Sequence, residues 1–343
     1  MVPPRADRYA KAGVDLGAAE RSKRKIGEIV ASTRTRFARG LVGGFGGMVK
    51  IPPRIKDPTL VLSTDGVGTK VLVAIMSRKH DTVGEDLVNH CVNDILVHGA
   101  RPLAFLDYIA CASLQSDVAV HVVEGVARAC RAHDMTLAGG ETAQMPDLYA
   151  PGHYDLAGTI VGVVPEREAL HGDRVKPGDV LIGYAASGLH TNGYTLARKV
   201  MFGEQRLGVN DRIPGLNQTV GEALLAVHRS YFRAVAPALK KIHALAHITG
   251  GGIPGNLSRS LPKGCRATVE RGSWPLPPLF RYLEEAGGIN DAEMYRVFNM
   301  GVGMIAIAPP KNEATVRAAA KKAGVETWVI GDVARGESAV VVG

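Results

Sequence analysis

Apolar positions along this chain switch between two periods. Leu60 to Thr64 is a short apolar run that predicts a strand. In Leu103 to Ala110, Phe105, Asp107 and Ile109 alternate with Leu106 and Tyr108, the period of a strand with one buried face. Between them, Val83 to His98 sets Leu87, Cys91, Ile95 and His98 on one stripe at helical spacing. Gln115 to His133 predicts a longer amphipathic helix that buries Val118, Val122, Val126 and Ala129. Met135 to Ala138 and Leu156 to Val164 complete an alternation of strands and helices, the pattern of an α/β layer.

The pattern lapses at Pro165 to Gly178, rich in charge, proline and glycine, and restarts at Val180. At 343 residues the chain exceeds the length at which one core keeps growing, so two domains are expected, residues 1–169 and 170–343. The second half predicts strands at Val180 to Tyr184, Gly303 to Ala308 and Thr327 to Val333, and helices at Tyr194 to Met201, Pro275 to Ala286 and Asn312 to Ala323. Val220 to Ala244 reads as helix, kinked or restarted at Pro237.

Glycines cluster where strand patterns stop, with acidic or small polar residues beside them. Ser63 to Lys70 places Asp65 at a strand end, then Gly66 and Gly68, then Thr69 and Lys70, an arrangement suited to a magnesium nucleotide. Asp94 sits inside the predicted helix at the edge of its buried stripe, where aspartate has poor propensity, so it serves either solvent contact or a ligand, and the ligand role is the one expected. Glu141, after Gly139 and Gly140, offers a third oxygen to a hard cation or is a surface turn carboxylate. Gly43, Gly44, Gly46 and Gly47 frame a loop preceded by arginines that suits a triphosphate tail or is a flexible hinge; no Gly-Lys-Ser/Thr follows, so it is not a Walker loop. His190, at a strand-to-helix turn, is expected to be exposed; a lone histidine is more often structural than catalytic, yet Thr191, Asn192 and Gly193 beside it form a polar rim for substrate. Thr249, Gly250, Gly251 and Gly252 make a second candidate phosphate site, and two anionic sites imply two phosphorylated ligands.

Composition narrows the class. The formal charge of +8 fits either a nucleic-acid surface or phosphorylated small molecules, and much of the excess lies in Arg21, Lys23, Arg24, Lys25, Arg34, Arg36 and Arg39. Aromatics for base stacking are not interleaved there, which disfavours a dedicated RNA platform; a solvated basic face is as good a reading of any one residue. Cys91, Cys111, Cys130 and Cys265 lack close spacing and read as buried thiols. No apolar run is long enough to span a bilayer, and Met1 to Ala10 lacks the apolar core of a secretory signal, so a cytoplasmic location is expected.

Taken in order, Ala12 to Asp15, Gly43 to Gly47, Thr64 to Lys70, Val92 to Asp94, Gly139 to Ala143, Ser187 to Tyr194, His247 to Asn256 and Phe298 to Gly303 resemble the phosphoribosylformylglycinamidine cyclo-ligase family over nearly the whole chain. The resemblance implies ATP-dependent closure of formylglycinamidine ribonucleotide to aminoimidazole ribonucleotide, with ADP, phosphate and Mg2+, in purine biosynthesis. It further implies a homodimer of two-domain α/β subunits paired through N-terminal strands. In that chemistry an amide oxygen must be phosphorylated before it can leave. Asp65, Asp94 and Glu141 would then hold magnesium, Lys70 and glycine amides would neutralise phosphates, His190 would position the formyl amide or move a proton, and Thr249 to Gly252 would grip the ribose phosphate.

The chain departs from the family pattern at three places. Gly27 stands where a lysine is common, with Lys23 one helical turn earlier; Gln144 replaces an acid and Asp147 a glycine. Relatives of the wider superfamily, thiamine-phosphate kinase, selenophosphate synthetase and a hydrogenase maturation protein, use ATP on other acceptors, and the His190 and Gly250 motifs argue against them. A non-enzymatic nucleic-acid binder and a structural oligomer are the readings from other classes.

Overall fold

The computed structural model describes residues 16–40, 43–113 and 116–343. The Ala12 to Asp15 motif lies outside the described residues, and so do the side chains of Arg21 and Lys23. Helix α1 (Leu16–Ala31) precedes a short hairpin of β1 (Ala38–Arg39) and β2 (Met48–Val49).

Strand β3 (Pro58–Gly66), β4 (Arg101–Cys111), β5 (Thr136–Gln144) and β6 (Tyr154–Pro165) form a four-stranded sheet in the order β3-β6-β4-β5. Only β4 and β5 run parallel, as a crossover through a helix requires. One face is covered by α3 (Asp81–Leu96) and α4 (Ser116–Ala132), with α2 (Lys70–Ser77) at the end of β3. Leu87, Cys91 and Ile95 are fully buried as their stripe predicts, whereas His98, beyond the helix end, is exposed. Phe105, Asp107 and Ile109 face inward and Leu106 and Tyr108 outward. Gly139 and Gly140, expected at the mouth of a strand, lie inside β5 opposite Leu106 and Asp107. A Cβ on Gly140 would fall 2.2 Å from Asp107 Oδ1, so this glycine makes room for a buried carboxyl rather than a turn.

The second sheet has six strands in the order β12-β9-β11-β7-β10-β8: β7 (Val180–Ala185), β8 (Ala244–His247), β9 (Cys265–Val269), β10 (Val302–Ala308), β11 (Thr327–Arg335) and β12 (Val340–Val342). Its fully buried β10 carries no polar residue, the mark of a central strand. The helix expected over Val220 to Ala244 is instead α6 (Val220–Leu224), a non-helical stretch at 226–231, α7 (Phe232–Val235), a 3₁₀ turn bearing Pro237, and then β8. Tertiary bonds override propensity there, because Asp86 and Asn93 of α3 capture the backbone amides of His228 and Tyr231. Helix α5 (Tyr194–Arg198) follows the loop after β7, α8 (Gly252–Leu257) follows β8, and α9 (Pro278–Gly287), α10 (Asp291–Val297) and α11 (Glu313–Lys322) lie later in the chain.

Candidate active site

The two sheets meet across α3, which is buried on both sides. Its stripe Leu87, Cys91 and Ile95 packs on the first sheet, and a second stripe, Asp86, Asn89, His90, Asn93 and Asp94, turns to the second domain at the same helical spacing. Asn89 Nδ2 donates to His228 O at 2.8 Å and Asn93 Nδ2 to Arg229 O at 2.9 Å, so the polar stripe is the adhesive of the domain seam.

Asp65 and Asp94 converge on one imidazole. His90 Nε2 lies 2.9 Å from Asp65 Oδ2 and 3.5 Å from Asp94 Oδ2, while His247 Nδ1, at the end of β8, is 2.8 Å from Asp94 Oδ1. Ser63 Oγ donates to Asp94 and the Gly66 amide to Asp65. Burial alone would raise both carboxyls, but for Asp65 the hydrogen bond and charge of His90, and for Asp94 those of His247, outweigh it and hold both below the usual value. Burial would likewise lower His90, yet its bond to Asp65 and the charge of Asp94 raise it. The side chains of Asp65 and Asp94 keep 47% and 24% of their exposure, so both are ionised and reachable.

From His90 the hydrogen bonds continue. His90 Nδ1 is 2.7 Å from Thr191 Oγ1, which is 3.2 Å from His228 Nδ1, and His228 Nε2 is 3.1 Å from His247 Nε2. With every ring neutral, the Nε2 lone pairs of His228 and His247 would face each other, and one added proton resolves the conflict. Burial pushes His228 well down, and His247 also down despite Asp94.

Three expectations need correction. His190 is fully buried rather than exposed: its ring stacks on His228 at 4.0 Å, and its Nε2 accepts from the Ser187 amide. A Cβ on Gly303 would sit 2.4 Å from His190 Cε1 and 2.2 Å from Tyr231 Oη, so that glycine exists to admit the two rings. Burial drives the His190 imidazole well below its ordinary pKa, so it is a neutral packing group under the loop. Lys70, expected to neutralise phosphate, has no exposed surface; its Nζ is 2.8 Å from Asp86 Oδ2 and donates to the carbonyls of His190 and Ala226. Burial drives Lys70 down and Asp86 up, to about 6. The short contact, with two carbonyls around the ammonium and the His228 amide on the carboxylate, favours the ion pair.

Glu141 is the third correction. Asp65 pairs with Gly158, Gly158 with Asp107 and Asp107 with Gly140, so Asp65 and the Gly139 to Glu141 segment occupy opposite edges of the sheet. Three strand spacings separate them, ~14 Å. Glu141 pairs with outward-facing Tyr108 and is exposed, so it cannot share one ion with Asp65 and Asp94 in a subunit. Of the Gly43, Gly44, Gly46 and Gly47 loop, Gly47 packs on β5 at that far edge, where a Cβ on it would land 2.4 Å from Ala138 O, while Gly43 and Gly46 have open space around them.

The remaining candidates gather at the carboxylates. Thr69 Oγ1 is 3.2 Å from Thr195 Oγ1, which holds the Gly66 to Thr69 turn against the first turn of α5. Asn256 Nδ2 donates to the carbonyls of Thr249, Gly250 and Gly252, fixing Gly250 and Gly251 as an exposed turn. Asn192 lies beside Gly250, and its Nδ2 is a buried donor without a partner, the kind of group that a bound anion satisfies.

Comparison with known proteins decides the family. Models described as AIR synthase related protein, N-terminal domain, and AIR synthase related protein, C-terminal domain, match residues 47–164 and 176–343. A phosphoribosylformylglycinamidine cyclo-ligase of Trichlorobacter lovleyi is 45% identical over 336 residues, covering 97% of this chain and 96% of that protein. This chain belongs to the phosphoribosylformylglycinamidine cyclo-ligase family. A second cyclo-ligase, of Desulfatibacillum aliphaticivorans, is 46% identical over 334 residues, 96% of each chain. Membership makes the chain an enzyme of the AIR synthetase step in purine biosynthesis. The fold extends further: thiamine-monophosphate kinase from Stenotrophomonas maltophilia superposes with a TM-score of 0.65 at 16% identity, covering 96% of both chains. Hydrogenase maturation protein HypE in complex with ATP gives 0.63 at 20%, covering 88% of this chain and 84% of that one.

For this member of the cyclo-ligase family, sequence reading passed over His90, Asn89 and Asp86 as site residues. Their signal was present, since Asp86, Asn89, His90, Asn93 and Asp94 repeat at helical spacing in an otherwise apolar helix. His228 gave no such signal, because its segment read as continuous helix.

Proposed function

We propose that this chain closes the imidazole ring of aminoimidazole ribonucleotide from formylglycinamidine ribonucleotide, using ATP and releasing ADP and phosphate. The observation that carries this reading is the convergence of two ionised carboxylates, Asp65 and Asp94, with the Gly66 to Thr69 turn, Thr191, Asn192 and Thr249 to Gly252 at one domain seam. The two carboxylates are depressed in pKa and partly exposed, a hard-oxygen donor set that fits Mg2+, which takes one or two carboxylates together with phosphate oxygens. Bound there, magnesium would neutralise charge on the triphosphate.

The formyl oxygen takes the γ-phosphoryl group, the amidine nitrogen attacks the same carbon and loses its proton, and the oxygen departs as phosphate. Within that sequence Asp65 and Asp94 would hold the nucleotide's metal, and His90 and His247 fix the carboxylates through the bonds described. Asn192 and the Gly250 to Gly252 turn receive the substrate's phosphate, and Lys70 and His190 set the positions of the two loops from beneath. ADP release that requires formylglycinamidine ribonucleotide, with aminoimidazole product in the same tube, is the expected result. ADP release with thiamine phosphate in its place would overturn the reading.

We also place the domain boundary at residues 169/170 and the active form as a homodimer in the cytoplasm. The outward face of the first sheet exposes Leu60 (45%), Leu62 (63%), Leu106 (39%) and Tyr108 (39%), an apolar patch suited to a second copy. Four buried free cysteines fit a reducing compartment, and among the described residues no helix is long and apolar enough to cross a membrane. Leu62→Asp is expected to give monomers in light scattering; an unchanged mass would remove this face from the assembly.

A further inference from the structure

The domain seam holds a second hollow, lined by neither Asp65 nor Asp94. It has a volume of about 330 Å³, and its polar wall is Glu85, Asn89, His133, Arg229, Ser230 and Arg233, the rest being small or apolar. That is room for a small metabolite.

The charges in this wall do not cancel. Arg229 Nη1 donates to Ala185 O and Arg233 Nη2 to Ala132 O, and among the described residues neither guanidinium meets a carboxylate. Glu85 is already held by Arg128 at 2.8 Å. Two arginines without a carboxylate partner among the described residues thus border one cavity between domains.

His133 adds a specific demand. Asn89 Nδ2 donates to His228 O, which fixes the amide so that its Oδ1 faces His133 Nε2 at 3.2 Å. An oxygen acceptor there puts the ring hydrogen on Nε2 and leaves a lone pair on Nδ1. Burial and the charge of Arg233 hold the ring at a pKa of about 4, so it is neutral at physiological pH. That Nδ1 is buried and has no hydrogen-bond partner, and the residue keeps only 8% of its exposure. The cavity therefore offers paired guanidinium donors for an oxyanion and one acceptor for a hydroxyl hydrogen.

We propose that this cavity binds a phosphate dianion that carries or neighbours an O–H, either free hydrogen phosphate or the monoester of a small hydroxylated metabolite. Arg229 and Arg233 take the oxyanion and His133 Nδ1 the hydroxyl. Because Asn89 touches both His133 and the His228 carbonyl, an occupant braces the seam next to the imidazole chain, making this a site from which a phosphorylated effector reaches the catalytic side.

Calorimetric titration of the full chain with inorganic phosphate tests the assignment. Arg233→Gln and Ala132→Glu are each expected to weaken binding at least tenfold, while Asp94→Asn leaves it unchanged. Ala132 is exposed, so its variant adds a carboxylate beside Arg233 without disturbing the core. Phosphate binding kept in both seam variants would place the ion elsewhere, in the carboxylate cleft if Asp94→Asn loses it and at the Asn192 and Gly250 to Gly252 turn if it does not, and either result would overturn the proposal, as would no binding by the parent chain. Ribose 5-phosphate separates the two sources: tighter binding that is sensitive to Ala132→Glu identifies an ester, equal or weaker binding the free ion.

Discussion

Asp65 to Lys70 and Gly139 to Glu141 look alike as sequence, each a glycine cluster with a carboxylate beside it, and the fold uses them differently. The first ends β3 at the domain seam, where Asp65 meets His90 and the turn is bonded to the start of α5. The second lies within β5 at the opposite edge, where Gly140 gives space to Asp107 and Glu141 faces outward. A glycine relieves crowding wherever backbone or a side chain comes close, and phosphate is only one visitor that needs the relief. What separates the clusters is strand order, since β3 and β5 are sequence-distant edges of one sheet.

The largest contrast is expected from Lys70. Lys70→Met leaves Asp86 buried and unpaired, so stability should fall by ~3–5 kcal/mol in denaturant melts, with Lys70→Met/Asp86→Leu recovering most of it. A phosphate-binding lysine would instead show normal melts and a raised KM for ATP. Next, Asp94→Asn is expected to lower kcat by ~10²–10³ and to raise the Mg2+ concentration needed, by loss of an ionised ligand. Glu141→Gln should leave the Mg2+ dependence unchanged in steady-state assays; an equal shift would mean that a second subunit carries Glu141 into the cleft.

The smallest effect concerns Asp107, across from Gly140. Burial raises its carboxyl from 3.8 to about 7, so the folded chain favours the protonated form. A raised acid contributes stability fully below pH 3.8 and loses it progressively up to about 7. Asp107→Asn should therefore be more stable than the parent at pH 8, by up to a few kcal/mol at ~1.4 kcal/mol per unit, with the gap closing toward pH 4. A constant gap across that range would show that Asp107 does not titrate with the fold.

Much of the architecture was legible because periodicity is local. The stripe of α3 and the alternation of β4 follow from neighbours along the chain, and so do β6, β7, β10 and β11. The segment at 226–231 was not legible: its backbone amides are claimed by Asp86 and Asn93, well over a hundred residues away in sequence. His190 was misjudged for a similar reason, since a polar loop after a strand is normally wet and this one is roofed by the His228 segment.

Residue order alone therefore settled the kinds of most elements, Asp65 and Asp94 as carboxylates worth following and the resemblance that names the family, all of which depend on side-chain type at short spacing. Which groups keep their charge in water was decided only when two sheets closed on α3. Burial depends on what arrives from elsewhere in the chain, and it turned Lys70 and His190 into internal supports while leaving Asp65 and Asp94 open to solvent.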